Sequence, residues 1–303
     1  MIIIIWFLTE TFTMQDLDKI YILTCRRVDD QITYNALPKK LQEKVCFVVQ
    51  DWEREQYNYD AEYLVLPKEI HVDNHPRPVS FSRQYIYDNS TTMKYAMLDD
   101  DITFGRRNQK YWTGVSNMEK SKRKCNEDDI LEMFDLYTEW LDLPDVTFCG
   151  CSHSENPPSG KEYTTNSSIG SQFWINGKDF AHKLPDFELT RTRVAQDNVF
   201  VLSLLSNGFG NRISQEFCFY NDSVMKKGKK ASQIWDNQTV ETVLRDHKVI
   251  EEMFPGIFEI LYDENGVRQE GGFRDLGKWR CHWSKAYKQW QQRSESSLEE
   301  FLC

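Results

Sequence analysis

An α/β fold with a mainly parallel central sheet follows from three observations. Four short apolar runs alternate with helix-compatible segments through the first hundred residues, the order of a parallel sheet with crossover helices. The runs are apolar on successive residues, as in strands buried on both faces. The fourth, Tyr95–Leu98, leads straight into Asp99, Asp100 and Asp101. That places three carboxylates at the carboxyl end of a strand, where open α/β sheets bind their ligands.

The strands in order are Lys19–Cys25, Val45–Gln50, Tyr63–Pro67 and the run into Asp99. Between them, Thr33–Leu41 reads as a short helix interrupted or ended by Pro38, Asp51–Tyr59 is polar and helix-compatible, and Ser82–Ser90 reads as a helix. His71–Pro78 is rich in turn residues. After the triplet the chain turns basic, with Arg106, Arg107, Lys110 and then Lys120–Lys124. A helix over Glu127–Leu141 starts at Asn126, a good N-cap. Val146–Gly150 and Ser171–Asn176 read as strands, and the polar stretch 151–168 between them reads as a loop. Asp197 is placed to cap an apolar helix, Val199–Leu205, which Asn207 and Gly208 end. A late strand over Phe217–Tyr220, the basic run Lys226–Lys230 and a helix over Val240–Phe254 follow. Trp279–Lys288 mixes aromatic and basic residues, and the tail 291–303 is polar and expected to be loose.

Composition narrows the function. A chain of 303 residues with 14% aromatic content can bury a sizeable core. The formal net charge of −10 excludes a generic basic coat for nucleic acid; a nucleic-acid substrate would need positive charge gathered locally. Eight cysteines without a CxxC pair suit free thiols in a reducing compartment. The apolar Ile2–Leu8 is too short to span a bilayer and lacks a basic leader. A cytoplasmic location, with no membrane partner, is therefore expected. No GxGxxG or Walker-type phosphate loop occurs.

Three adjacent carboxylates repel one another unless positive charge joins them. Mn²⁺ or Mg²⁺ would serve, since both take oxygen ligands and are often shared with a substrate diphosphate. A solvated acidic turn is the other reading of the triplet.

The strand order, an arginine in the third helix (Arg83), a DxD-like triplet and an acidic residue opening a later helix together resemble the GT-A glycosyltransferases over residues 19 to 288. The Ser-Arg-Gln-Tyr helix before Leu-Asp-Asp-Asp-Ile, the Asp-Asn-Val-Phe helix and the closing Trp-x-x-x-Trp-Ser-Lys-Ala-Tyr-Lys are similar to one branch. These are the glycosyltransferases associated with TET/JBP-type base-hydroxylating dioxygenases, which include bacteriophage enzymes acting on 5-hydroxymethylpyrimidines in DNA. The resemblance implies a single Rossmann-like GT-A domain over 19–290, its nucleotide-sugar half at 19–110 and its acceptor half at 111–290. Residues 1–18 form an extension before it. The location becomes the host cytoplasm if the protein is viral.

The resemblance also implies roles. Thr24, Arg26, Arg83, Asp99 and Asp100 would contact a UDP-sugar. Asp99, Asp101 and His282 would hold the metal, and Asp197 would be the catalytic base. Gln196 stands where that family's base motif carries Glu. DNA is the acceptor this branch implies, held through Arg106–Lys124, Lys226–Lys230 and Arg274–Lys288. Acceptors of protein, glycan or small-molecule type, a non-catalytic nucleotide-binding module and a metal-dependent nucleotidyltransferase are the competing readings.

Overall fold

A computed structural model describes residues 17–68, 78–90, 94–108, 122–180, 184, 187–221, 240–261 and 278–302. The turn-rich 71–77, most of the basic segment 109–121 and the lysines at 226–230 lie outside them. The described strands form one ten-stranded sheet and a separate hairpin.

In the sheet, β1 (Lys19–Leu23) lies between β2 (Val45–Gln50) and β4 (Lys94–Asp99), with β3 (Glu62–Leu66) beyond β2. All three pairings are parallel. Successive residues of each strand point to opposite faces. Tyr21, Val48, Tyr95 and Met97 therefore join one core cluster, while Ile20, Ile22, Phe47, Ala96 and Leu98 join the other. Burial on both faces accounts for the unbroken apolar runs.

Helices cover each face. On one side lie α1 (Ile32–Ala36), α2 (Lys39–Gln42) and α4 (Glu127–Trp140), contributing Tyr34, Leu41, Phe134 and Tyr137. On the other lie α3 (Pro78–Asn89), α6 (Gln196–Leu205), α7 (Val240–Met253) and α8 (Trp283–Leu302), contributing Ile86, Phe200, Ile250 and Ala286. Between α1 and α2, Leu37 is extended at ψ 138, as the residue before a proline prefers. Asp51–Gln56 is a 3-10 turn.

Beyond β4 the sheet continues through β9 (Gln172–Asn176), β7 (Phe148–His153), β10 (Asn211–Asn221), β5 (Ile102–Arg107) and β6 (Lys122–Lys124), while β8 (Tyr163–Thr165) pairs with β10. Here only β7 and β10 run parallel; β9, β5, β6 and β8 pair antiparallel. A short helix, α5 (Gly177–Phe180), follows β9. The hairpin pairs β11 (Phe258–Leu261) with β12 (Lys278–Cys281).

Several expectations change. Arg106 and Arg107 lie in strand β5 and Lys122–Lys124 form β6, part of the loop 151–168 is strand, and β10 runs well beyond Phe217–Tyr220. The tail is helical: α8 continues to Leu302. No helix among the described residues is long and apolar enough to cross a membrane.

The expected start of α4 holds in detail. The Asn126 side chain accepts from the Asp129 N–H at 2.9 Å, and Asp129 accepts from the Asn126 N–H at 2.9 Å, a reciprocal capping box. Replacing Asn126 with Ala should lower unfolding stability by about 1 kcal/mol in urea titrations and leave ligand binding unchanged.

Candidate active site

Leu23 of β1 lies beside Asp99 of β4, so the segments after both strands leave the sheet together. The buried Thr33 pins the acidic turn between them. Its hydroxyl donates to the Asp99 carbonyl at 2.6 Å and accepts from the Ile102 N–H at 2.9 Å, while its own N–H donates to the Asp100 carbonyl at 3.0 Å. From β9's side, the Ser171 carbonyl accepts from the Asp99 N–H at 2.9 Å.

Two guanidinium groups meet the carboxylates. Arg27 donates to Asp100 at 2.8 Å and stands 3.2 Å from Asp101. Arg83, with a side chain only 1% exposed, donates through Nη2 to Asp99 at 2.7 Å and through Nη1 to Asp197. The Phe173 ring lies against its guanidinium, with 5.2 Å from Cζ to the ring centroid. Asp99 and Asp197 keep 26% and 29% of their side chains exposed, so a substrate can reach both.

Asp197 does not cap its helix. The N-cap of α6 is Ala195, in the left-handed region at φ 54°, and it makes no side-chain cap bond. Asp197 sits in the first turn, with Oδ1 on Arg83. Its Oδ2 faces Gly170, where a Cβ would stand 2.8 Å away.

Burial raises the Asp99 carboxyl to about 6 against the pull of Arg83. It raises Asp100 to about 8, since Arg27 is shared with Asp101 and further carboxylates adjoin it. Arg27 and Arg83 lose by burial but are raised overall by these acids. Fully ionised, Asp99, Asp100, Asp101 and Asp197 would exceed the two guanidinium charges by two; the raised Asp100 and Asp99 carboxyls relieve that excess by holding protons, which a divalent ion would displace. The charge of this oxygen-donor set fits such an ion, although each carboxylate of the triplet is directed at an arginine. Among the described residues, no three His, Cys, Asp or Glu side chains form a ready-made metal cage.

The other expected residues fall as follows. Thr24 is buried on the site floor, accepting from Gln31 Nε2 at 2.7 Å and lying 3.2 Å from the Tyr57 hydroxyl. Arg26 adopts φ 59°, donates its N–H to Glu53 at 2.7 Å and lays its guanidinium 5.6 Å from the Trp52 ring centroid. The arginine on the triplet is its neighbour Arg27, which sequence reasoning missed. His282 is not brought to the triplet: its Nε2 lies 3.5 Å from Glu259, and its N–H donates to the Ile257 carbonyl at 2.8 Å.

The arginines expected on DNA phosphates are otherwise engaged. Arg106 bonds Asp129 at 2.9 Å, Glu132 at 2.6 Å and Glu216 at 2.7 Å. Arg107 is buried and donates to the carbonyls of Gln215, Phe217 and His153 at 3.0–3.1 Å. Arg106 ties β5 to α4 and β10, and Arg107 ties it to β7 and β10.

With this geometry in place, comparison with known proteins fixes the family. The model of the TET-associated glycosyltransferases matches residues 18–228. The chain belongs to that family. It is therefore a glycosyltransferase, and the acidic cluster lies wholly within the matched part. No curated protein matches the sequence. Among solved structures, the inositol-1-phosphate CTP transferase from T. maritima is similar at 9% identity, with a TM-score of 0.37 over 73% of this chain and 94% of that one, too distant to bear on fold or function.

Two predictions follow from the cluster. Gly170→Ala should push Asp197 off Arg83 and lower turnover at least tenfold, with donor affinity unchanged by calorimetry. The raised Asp100 carboxyl gives the folded state an extra proton above the unfolded value of 3.8. Its stabilising contribution is full below that value and disappears as pH rises towards 8. Thermal melts without added metal should therefore show stability falling between pH 5 and 8, and Asp100→Asn should flatten that slope.

Proposed function

We propose that the enzyme moves a sugar from a UDP-sugar to the hydroxyl of 5-hydroxymethylcytosine in DNA. The carrying observation is Arg83, which ties the strand-end carboxylate Asp99 to the helix carboxylate Asp197. It sets one exposed acid on each side of a single buried cation.

Asp197 acts as general base. Its carboxylate takes the proton of the acceptor hydroxyl as that oxygen attacks the anomeric carbon, and the bond to the UDP oxygen breaks with inversion. Thr24, Arg26, Asp99 and Asp100 line the donor side, with Arg27 added to them. Arg83 is withdrawn from the diphosphate, because its terminal nitrogens are occupied. Asp99 and Asp101 would hold Mn²⁺ or Mg²⁺, which when bound supplies positive charge for the departing diphosphate. A base within a duplex cannot enter such a site, so the cytosine is presented flipped or single-stranded.

One observation favours a second reading. Arg106 and Arg107 are consumed inside the fold, which leaves less cationic surface for phosphates on a chain of charge −10. A protein, glycan or small-molecule hydroxyl is the acceptor in that case.

Mass spectrometry of hydroxymethylcytosine DNA, after incubation with a panel of nucleotide sugars and Mn²⁺, separates the two. A mass gain of one sugar on the modified base is expected, and no gain with any donor transfers the assignment to the second reading. Asp197→Asn should bind UDP as the wild type does and lose about 10²-fold in turnover.

A further inference from the structure

The family match ends at residue 228, so α7, β11, β12 and α8 lie beyond it. Yet α6, the helix that carries Asp197, is held at both ends by this later part of the chain. At its carboxyl end Gly208 adopts φ +85°, and the Trp290 ring fills the space where a Cβ would stand 2.3 Å from Cε2. Arg293 donates to the Ser206 carbonyl at 3.0 Å.

The amino end is held more tightly. Residues 192–194 lead into the left-handed Ala195 and are fixed from two helices. Ser80 of α3 donates to the Thr192 carbonyl at 2.9 Å; one turn further along the same helix, Arg83 meets Asp197. From the other side comes Asp246 of α7, which is fully buried. Its Oδ2 accepts the N–H groups of both Arg193 and Val194, the latter at 2.9 Å, and its Oδ1 accepts from Arg245 Nη2 at 2.8 Å.

A buried carboxylate is costly wherever a neutral acceptor would serve. What it adds is two strong bonds on one oxygen, with the other oxygen still able to take a cation. Those bonds fall two residues and one residue before a non-glycine left-handed turn, a conformation that persists only when its surroundings impose it.

We propose that Asp246 is a positioning residue for sugar transfer. By clamping the N–H groups of Arg193 and Val194 it fixes the turn at Ala195, and so the direction in which Asp197 presents its free oxygen. The proposal rests on Asp197 being the base.

The test uses the full chain carrying Asp246→Asn, Asp197→Asn and both. Asparagine keeps the size and one acceptor oxygen but removes the charge. Turnover is measured with the donor–acceptor pair that the mass-spectrometric screen selects, and donor binding with UDP and Mn²⁺. Asp246→Asn should lower kcat about tenfold with the donor KM and the UDP Kd within twofold of wild type. In the Asp197→Asn background it should change the residual turnover by less than twofold, because a residue acting only through Asp197 has nothing left to position. Wild-type kcat in folded Asp246→Asn overturns the proposal. So does a loss carried by the donor KM, or the same loss repeated in the Asp197→Asn background. Wild-type turnover in Asp197→Asn alone overturns the base assignment itself, a distinguishable failure.

Discussion

One buried guanidinium sets the terms for the rest of the site. Arg83 is out of contact with solvent and has acids at both terminal nitrogens. Taking such a cation from water is repaid only if the surrounding structure holds the anions in place. Everything near it serves that end. Thr33 ties down the Asp99 carbonyl and Ser171 receives the Asp99 N–H, while Gly170 leaves room for Asp197. The two acids belong to different parts of the chain, so this one residue decides how the strand-end and helix-end chemistry face each other.

What could be read in the sequence was local. The parallel strands were legible because burial on both faces makes their runs apolar throughout. The start of α4 was legible because asparagine is a good N-cap and Asn126 directly precedes the helical pattern. The acidic triplet stood out for the same reason. Partnerships across the chain were not legible: Arg83 and Asp197 are 114 residues apart, and no pattern in either neighbourhood names the other. Both a phosphate contact and an ion pair suit an arginine, and both a cap and a base suit an aspartate one residue into a helix.

Two features that the sequence does not announce have a common origin in backbone twist. Arg26 and Arg27 look equivalent in the sequence, but Arg26 takes a positive φ and is tied to Glu53 and Trp52 while Arg27 meets the acids. Ala195 takes a positive φ in the same way, which gives the N-cap position to alanine and leaves Asp197 to its ion pair. Nothing about an alanine or an arginine announces a left-handed conformation, as a glycine would. Strand β5 was hidden differently. Its glycine admits the Tyr220 ring, at 2.5 Å from a notional Cβ, and its arginines find their partners inside the fold, Arg106 on carboxylates and Arg107 on backbone carbonyls, so the sequence alone shows only a run of basic residues.

The placement of β5 also bears on how the chain comes together in time. It leaves β4 after a two-residue turn, yet pairs with β10, and the Arg107 bond to Phe217 spans 110 residues. During synthesis β5 emerges long before the strand that will cover it. An exposed strand edge in that interval invites wrong pairing. The Arg106 bond to Asp129 spans only 23 residues. It can form as soon as α4 emerges, docking charged side chains over the waiting strand. Local ion pairs would then act as a temporary guard on a late-closing sheet, and the slow step of folding would be the arrival of β10.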